Sequence, residues 1–200
     1  MSEKEKRIKK RREYFIRAAK EIIDYYGVKA LSVRKVAEQA GYAPATIYNY
    51  FGSMDGLLSA VMDSYAAEAM EWLREKSSLD LPAARKIKVL YIEFARFFLE
   101  KPDLFKIIFM NENLVVIDDA DIIPNFKEMY RLRIELFQRL SLEHGYESET
   151  AVKLERIITS MLFGMLYSYY YSTSNNTKEE LLDELRLNIE YLIPEARDSE

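Results

Sequence analysis

Residues 32–51 read SVRKVAEQAGYAPATIYNYF, and the fold is decided here. Ser32 is a good N-cap, with a hydroxyl able to accept from an unpaired amide of a first helical turn. Val33, Val36, Ala37 and Ala40 follow at helical spacing. Gly41 is the residue type that most easily takes the left-handed conformation that ends a helix. Pro44 suits the first turn of a second helix, where no backbone N–H is needed. Ile47, Tyr48, Tyr50 and Phe51 carry that helix on to Gly52. Ala37 and Gly41, four residues apart, let the two helices cross closely, as a helix-turn-helix requires.

Working outward, Gly and Pro are scarce (6 and 5 in 200 residues) and no long β-branched alternation occurs, so the whole chain reads as all-α. A first helix is expected from about Lys6 to Tyr26, with Ile8, Phe15, Ala18, Ala19, Ile22, Ile23 and Tyr26 on one face. A fourth helix starts at a Ser53 cap, with Asp55 near its N-terminal dipole, and runs through Leu57, Leu58, Val61, Met62, Tyr65, Ala69 and Trp72 to about Lys76. The segment 77–82, SSLDLP, is a candidate junction. Helices are then expected over Ala83–Glu100, Asp103–Met110, Pro124–His144, Glu149–Ser172 (capped by Ser148) and from a Thr177/Glu180 capping box to about Ile193, about nine in all. The stretch 111–123, with an apolar LVVI before DDAD, is ambiguous, and STSNNT is a loop. The expected division is a helix-turn-helix domain at 1–52 and a helical effector-binding and dimerisation domain at 53–200, with helix 53–76 connecting them.

Charge separates the same two parts. Residues 1–52 hold 12 Lys+Arg against 6 Asp+Glu, a balance of +6, and the remainder holds 17 against 27, a balance of −10. A basic head on an acidic body points the head at a polyanion. With no cysteine, disulfides and thiolate metal sites are excluded. No apolar run reaches the ~20 residues of a membrane span, and the opening MSEKEKRIKKRR lacks the apolar core of a secretory signal, so a cytoplasmic protein without membrane association is expected.

The stretch Ala30–Leu58 resembles the TetR family of transcriptional regulators. Ser32 stands at the family's opening hydroxyl residue, Val36-Ala37 at its I-A, Ala40-Gly41 at its A-G, Thr46-Ile47-Tyr48 at its T-[IL]-Y, and Tyr50-Phe51 at its [YH]-F. The chain departs from the pattern with Tyr42-Ala43-Pro44 in the turn and with no lysine after Phe51. The resemblance implies a three-helix DNA-binding head on a helical body, a homodimer on a palindromic operator, and a small effector that releases the DNA. A repressor is the expected sense of that regulation.

In such a head the second helix of the motif lies in the major groove. Ile47 and Phe51, four apart, face inward. Tyr42, Ala43, Pro44, Ala45, Thr46 and Asn49 are then groove candidates, since Asn pairs bidentately with adenine and Ala or Thr meets a thymine methyl. Tyr48 and Tyr50 are candidates for phosphate, or for packing alone. Ser32, Arg34 and Lys35 at the start of the preceding helix are candidates for the DNA backbone. The basic arm, with Lys9, Lys10 and Arg11, takes the place of the missing lysine. The resemblance implies a dimer bundle from the last two long helices, where Leu154, Ile158, Met161, Leu162, Leu181, Leu185 and Ile189 form the candidate face. Periodicity does not separate that face from the core. Phe94, Phe98, Phe105, Phe109, Phe126, Tyr130, Met165 and Tyr169 are candidates to line a pocket for a hydrophobic effector, with Glu93, Arg96 and Asn113 as polar anchors.

Other classes fit less well. The lone His144 sits at a helix end, where the dipole favours it, and no phosphate loop or nucleophile elbow is present, so no enzyme, cofactor or metal is expected. A cation at DDAD (118–121) is outweighed by a solvated acidic loop. A DNA-binding protein without a ligand, and a peripheral membrane or partner-binding protein using the basic first helix, are the alternatives.

Overall fold

The computed structural model describes residues 2–77, 81–110, 124–172 and 176–194. Among them are nine α-helices and no strand: α1 Glu3–Tyr26, α2 Val33–Ala40, α3 Pro44–Phe51, α4 Met54–Ser77, α5 Ala83–Glu100, α6 Pro102–Met110, α7 Pro124–His144, α8 Ser148–Tyr171 and α9 Lys178–Leu192. The fold is all-α, as read from the sequence. The LVVI and DDAD runs and Asn113 lie outside the described residues, as do parts of the SSLDLP and STSNNT segments. No described helix is long and apolar enough to cross a membrane.

Two compact units are present, 1–68 with 102–127 and 69–101 with 128–200. Both α4 and α7 contribute to each. The compact division therefore falls inside α4. Its N-terminal half is tied to α1 by Lys20, which bonds Ser64 and pairs with Glu68, and by the Tyr65 hydroxyl, 3.2 Å from Asp24.

In the first unit, α1 begins at a capping box in which Ser2 and Glu5 satisfy each other's backbone amides. Phe15, Ala18, Ala19, Ile22 and Ile23 form its buried stripe. Ile8 and Tyr26, expected on the same face, are exposed at 39% and 76%. They lie toward the two ends of the helix, outside the buried stripe, which runs from Phe15 to Ile23. Phe15 is fully buried and centres the head, with ring contacts to Tyr42 at 5.1 Å, Tyr50 at 5.8 Å and Phe51 at 6.1 Å. Such burial stabilises by about 2–3 kcal/mol per large side chain.

In the second unit, α5, α8 and α9 pack on one another, burying Ile87, Ile158, Leu162, Leu166, Leu185 and Ile189. Phe94, Phe98 and Phe163 make edge contacts at 4.9–6.5 Å. The Thr177/Glu180 capping box opens α9 as expected. The expected Ser148 cap does not form: Glu147 holds the N-cap position, in extended backbone and without a side-chain hydrogen bond, and Ser148 is the first helical residue.

Candidate nucleic-acid interface and ligand cavity

The head is built around one turn. Ser32 caps α2, its hydroxyl accepting from the Lys35 amide at 3.3 Å. Gly41 closes α2 at φ 75° and ψ 34°, a left-handed conformation that costs glycine least. The Tyr42 amide then reaches back to the Ala37 carbonyl at 2.8 Å, and the Gly41 amide to Glu38 at 3.1 Å, the paired bonds of a Schellman motif. Extended Ala43 follows, and Pro44 starts α3. Val36, Ala37, Ile47 and Phe51 are buried, which turns the other side of α3 outward.

That outward side carries most of the groove candidates. Tyr42, Ala43, Pro44, Ala45, Tyr48 and Asn49 are exposed, and Thr46 is half-buried. Arg34 and Lys35 are exposed on α2, and Lys9, Lys10 and Arg11 on α1. The tyrosines differ from one another. Tyr48 is half exposed with no ring partner among the described residues, whereas Tyr42 and Tyr50 each set a ring against Phe15. The Tyr50 hydroxyl accepts from Arg11 at 3.2 Å, a bond that raises the guanidinium's affinity for its proton.

One side chain here has no counterpart among the sequence candidates. Arg12 donates to the Tyr50 carbonyl at 3.0 Å, and its guanidinium lies 4.8 Å from the Phe51 ring centre. It therefore occupies a carbonyl of the last turn of α3 and places positive charge at the negative end of that helix. The contact joins residues 38 apart, so no local pattern announces it.

Residues 15–61 match the model of the tetR family of bacterial regulatory proteins. The head is thus similar to the DNA-binding head of the TetR family. The HTH-type transcriptional regulator BetI of Stenotrophomonas maltophilia (strain R551-3) is 39% identical over 61 residues, covering 30% of this chain and 31% of that protein. The chain thus aligns with about a third of that curated relative. Solved structures extend the likeness in fold alone. FadR of Thermus thermophilus, a TetR-family repressor in complex with lauroyl-CoA, has a TM-score of 0.66 at 20% identity over 94% of this chain and 97% of that one. A TetR variant of Acinetobacter baumannii AYE in complex with minocycline has 0.65 at 19% identity, over 90% and 92%.

The second unit carries a cavity of about 380 Å³, within the range of small-molecule sites. α4 supplies Met70, Leu73 and Arg74; α5 supplies Lys86, Leu90, Tyr91 and Phe94; α7 supplies Met129, Leu132, Arg133, Glu135, Leu136 and Arg139. Of the eight aromatic and methionine candidates, Phe94 lines it. Phe98 and Phe105 are buried in packing, the latter in the first unit; Tyr130 is 54% exposed; Met165 and Tyr169 are half-buried on α8. The side chains of Phe109 and Phe126 lie outside the described residues. Of the proposed anchors, Glu93 is occupied by the Trp72 indole at 3.1 Å and by Arg96 at 3.5 Å.

A buried polar chain borders the cavity. Tyr91 and Thr159 share a 2.7 Å hydrogen bond, Thr159 donates to Glu155 at 3.0 Å, and Arg133 Nε lies 2.6 Å from the same carboxylate oxygen, at an angle short of a hydrogen bond. Glu155 is only 3% exposed. Burial pushes the Tyr91 hydroxyl up to about 12. The dimer-face candidates divide similarly: Ile158, Leu162, Leu181, Leu185 and Ile189 are buried within the single chain, and Leu154 and Met161 are half-buried. His144 stacks on Tyr146 at 5.4 Å. No His, Cys, Asp or Glu cluster suited to a metal occurs among the described residues.

Proposed function

We propose that this chain is a transcriptional repressor that binds a palindromic operator as a homodimer and is released by a small, hydrophobic effector. The observation that carries the reading is the outward side of α3. A Pro44-started helix, fixed from behind by Ile47 and Phe51, presents Ala43, Ala45, Tyr48 and Asn49 together on an exposed surface. Arg34, Lys35, Lys9, Lys10 and Arg11 flank it with positive charge. Asn49 reads an adenine, Ala45 and Thr46 meet thymine methyls, and the cations and Tyr48 take phosphates. The functional boundary is placed after residue 52, with α4 as the connection.

A second copy supplies the second half-site about 34–36 Å away, or a multiple of that. Because most of the late-helix stripe is core, the dimer face is assigned to apolar side chains left exposed on α8 and α9: Ile157, Tyr167 and Tyr171, with Leu187 and Tyr191 at 65% and 88% exposure. The cavity in the body supports the effector reading. The lauroyl-CoA and minocycline held by proteins of the same fold are consistent with it.

Selection of genomic DNA fragments by the full chain, followed by fluorescence anisotropy on the enriched site, tests the reading. It requires a palindromic site bound by two chains and a sizing profile of a dimer. Asn49→Ala should relax preference at one base position, at about 1–3 kcal/mol of discrimination. Binding with no sequence preference, or by a monomer, overturns it.

A further inference from the structure

Resting on the effector reading above, we propose the chemical class of the ligand: a straight-chain amphiphile of about ten carbons with an anionic head, its head group held at Lys86 and its tail directed toward Phe94. The cavity has two chemically different ends. α7 runs antiparallel to α5, because Glu143 near its end accepts from the Ala83 amide at 2.6 Å and Arg139 donates to the Leu81 carbonyl at 3.4 Å, while the earlier Phe137 meets Tyr91. α4 also runs antiparallel to α5, since its Trp72 bonds Glu93 and a short connection leads from Ser77 into Ala83. Arg74, Lys86 and Arg139 therefore lie toward the end where α5 begins. Phe94, Met70 and Met129 lie toward the other.

The cations are not equivalent. Arg133 is paired with buried Glu155, and Arg139 with Glu143 at 2.7 Å. The one acidic group on the wall, Glu135, is engaged by Arg131. Lys86 is half-buried, and among the described residues its ammonium makes no ion pair or hydrogen bond. An ammonium partly withdrawn from water beside Leu90 and Leu73 is costly without an anion, and a ligand carrying one supplies it. Length follows from the helix. Lys86, Leu90 and Phe94 are successive turns of one α5 stripe, so the path along it is about 12 Å, or roughly ten carbons at about 1.25 Å of rise per tetrahedral C–C bond.

Isothermal titration of the full chain with decanoate, decyl phosphate, decanol and decyltrimethylammonium tests this. Decanoate or decyl phosphate should bind at least about tenfold tighter than decanol, and Lys86→Gln should remove that advantage while leaving decanol unchanged. Preference between the two anions separates a carboxylate ligand from a phosphate ester. Equal affinity for decanoate, decyl phosphate and decanol, tighter binding of the cation, or an unchanged profile in Lys86→Gln overturns the proposal. Release of operator DNA is read in parallel. Lys86-dependent binding of an anion without release upholds the ligand class and removes the effector reading instead.

Discussion

Arg12 and Phe51 form a clamp at the end of α3: the guanidinium lies 4.8 Å from the ring centre while donating to the neighbouring Tyr50 carbonyl. The arginine thus fixes the helix that carries the proposed base contacts without itself pointing outward. Arg12→Ala should lower unfolding stability by about 1–3 kcal/mol, through removal of a charge-assisted bond and a cation–π interaction. Chemical denaturation measures that decrease. DNA affinity should fall for every sequence alike, with the preferred site unchanged; a change in preference would assign Arg12 to base reading.

The arm before it acts by charge. Residues 1–10 contain five Lys+Arg and two Glu. Deleting them should weaken binding to specific and random DNA equally. The dependence of log K on log salt should flatten by about one for each phosphate that the arm neutralises. Anisotropy titrations over a salt series give the slope. An unaltered slope removes the arm from the interface.

Inside the body, Glu155 and Arg133 depend on each other. Glu155→Ala leaves a partly exposed guanidinium without its carboxylate and should cost about 1–3 kcal/mol, whereas a double change of Glu155 to Leu and Arg133 to Met should be close to neutral. Thermal or urea denaturation of the two variants measures both costs. A double variant as unstable as the single one would mean that shape rather than charge governs the site.

Acid should loosen the junction of α5 and α7. Burial pushes the Glu143 carboxyl up, but the Ala83 amide and Arg139 outweigh it, and the net effect is below the ordinary value of 4.5. The Glu180 carboxylate is lowered likewise by its capping bonds to Thr177. A depressed folded value means the contribution is complete above about 4.5 and is lost as pH falls through the folded value. Glu143→Gln should therefore remove part of the fall in melting temperature below pH 4.5. An identical pH profile in the variant would exclude Glu143 as a source.

Much of the head was legible because its signals are local. Ser32, Gly41 and Pro44 each act within a turn, so spacing alone located α2, the turn and α3, and the inward Ile47 and Phe51 followed from their separation of four. What escaped was what a second element decides. Arg12 meets α3 across 38 residues, and Ile8 and Tyr26 are exposed although they share the spacing of the buried stripe. On α8 and α9 the period marked an apolar face correctly, yet it could not say whether that face meets α5 or another chain. Buried Ile158, Leu162 and Leu185 show a large part taken by the chain's own core. The cavity was hardest, since α4, α5 and α7 each contribute only one stripe, and among the described aromatic candidates Phe94 alone falls on it.

Between α3 and α4, the Gly56 amide donates to the Ser53 hydroxyl at 3.0 Å, and a Cβ on Gly56 would stand 2.0 Å from the Phe51 carbonyl oxygen. That oxygen belongs to the backbone and cannot swing aside. In a library randomised at every position, this site should tolerate almost no alternative. Substitution there would push the end of α3 away from the start of α4, a displacement passed straight to the surface that Asn49 presents. Position 56 is thus a mutational choke point, set by a space smaller than one methyl group.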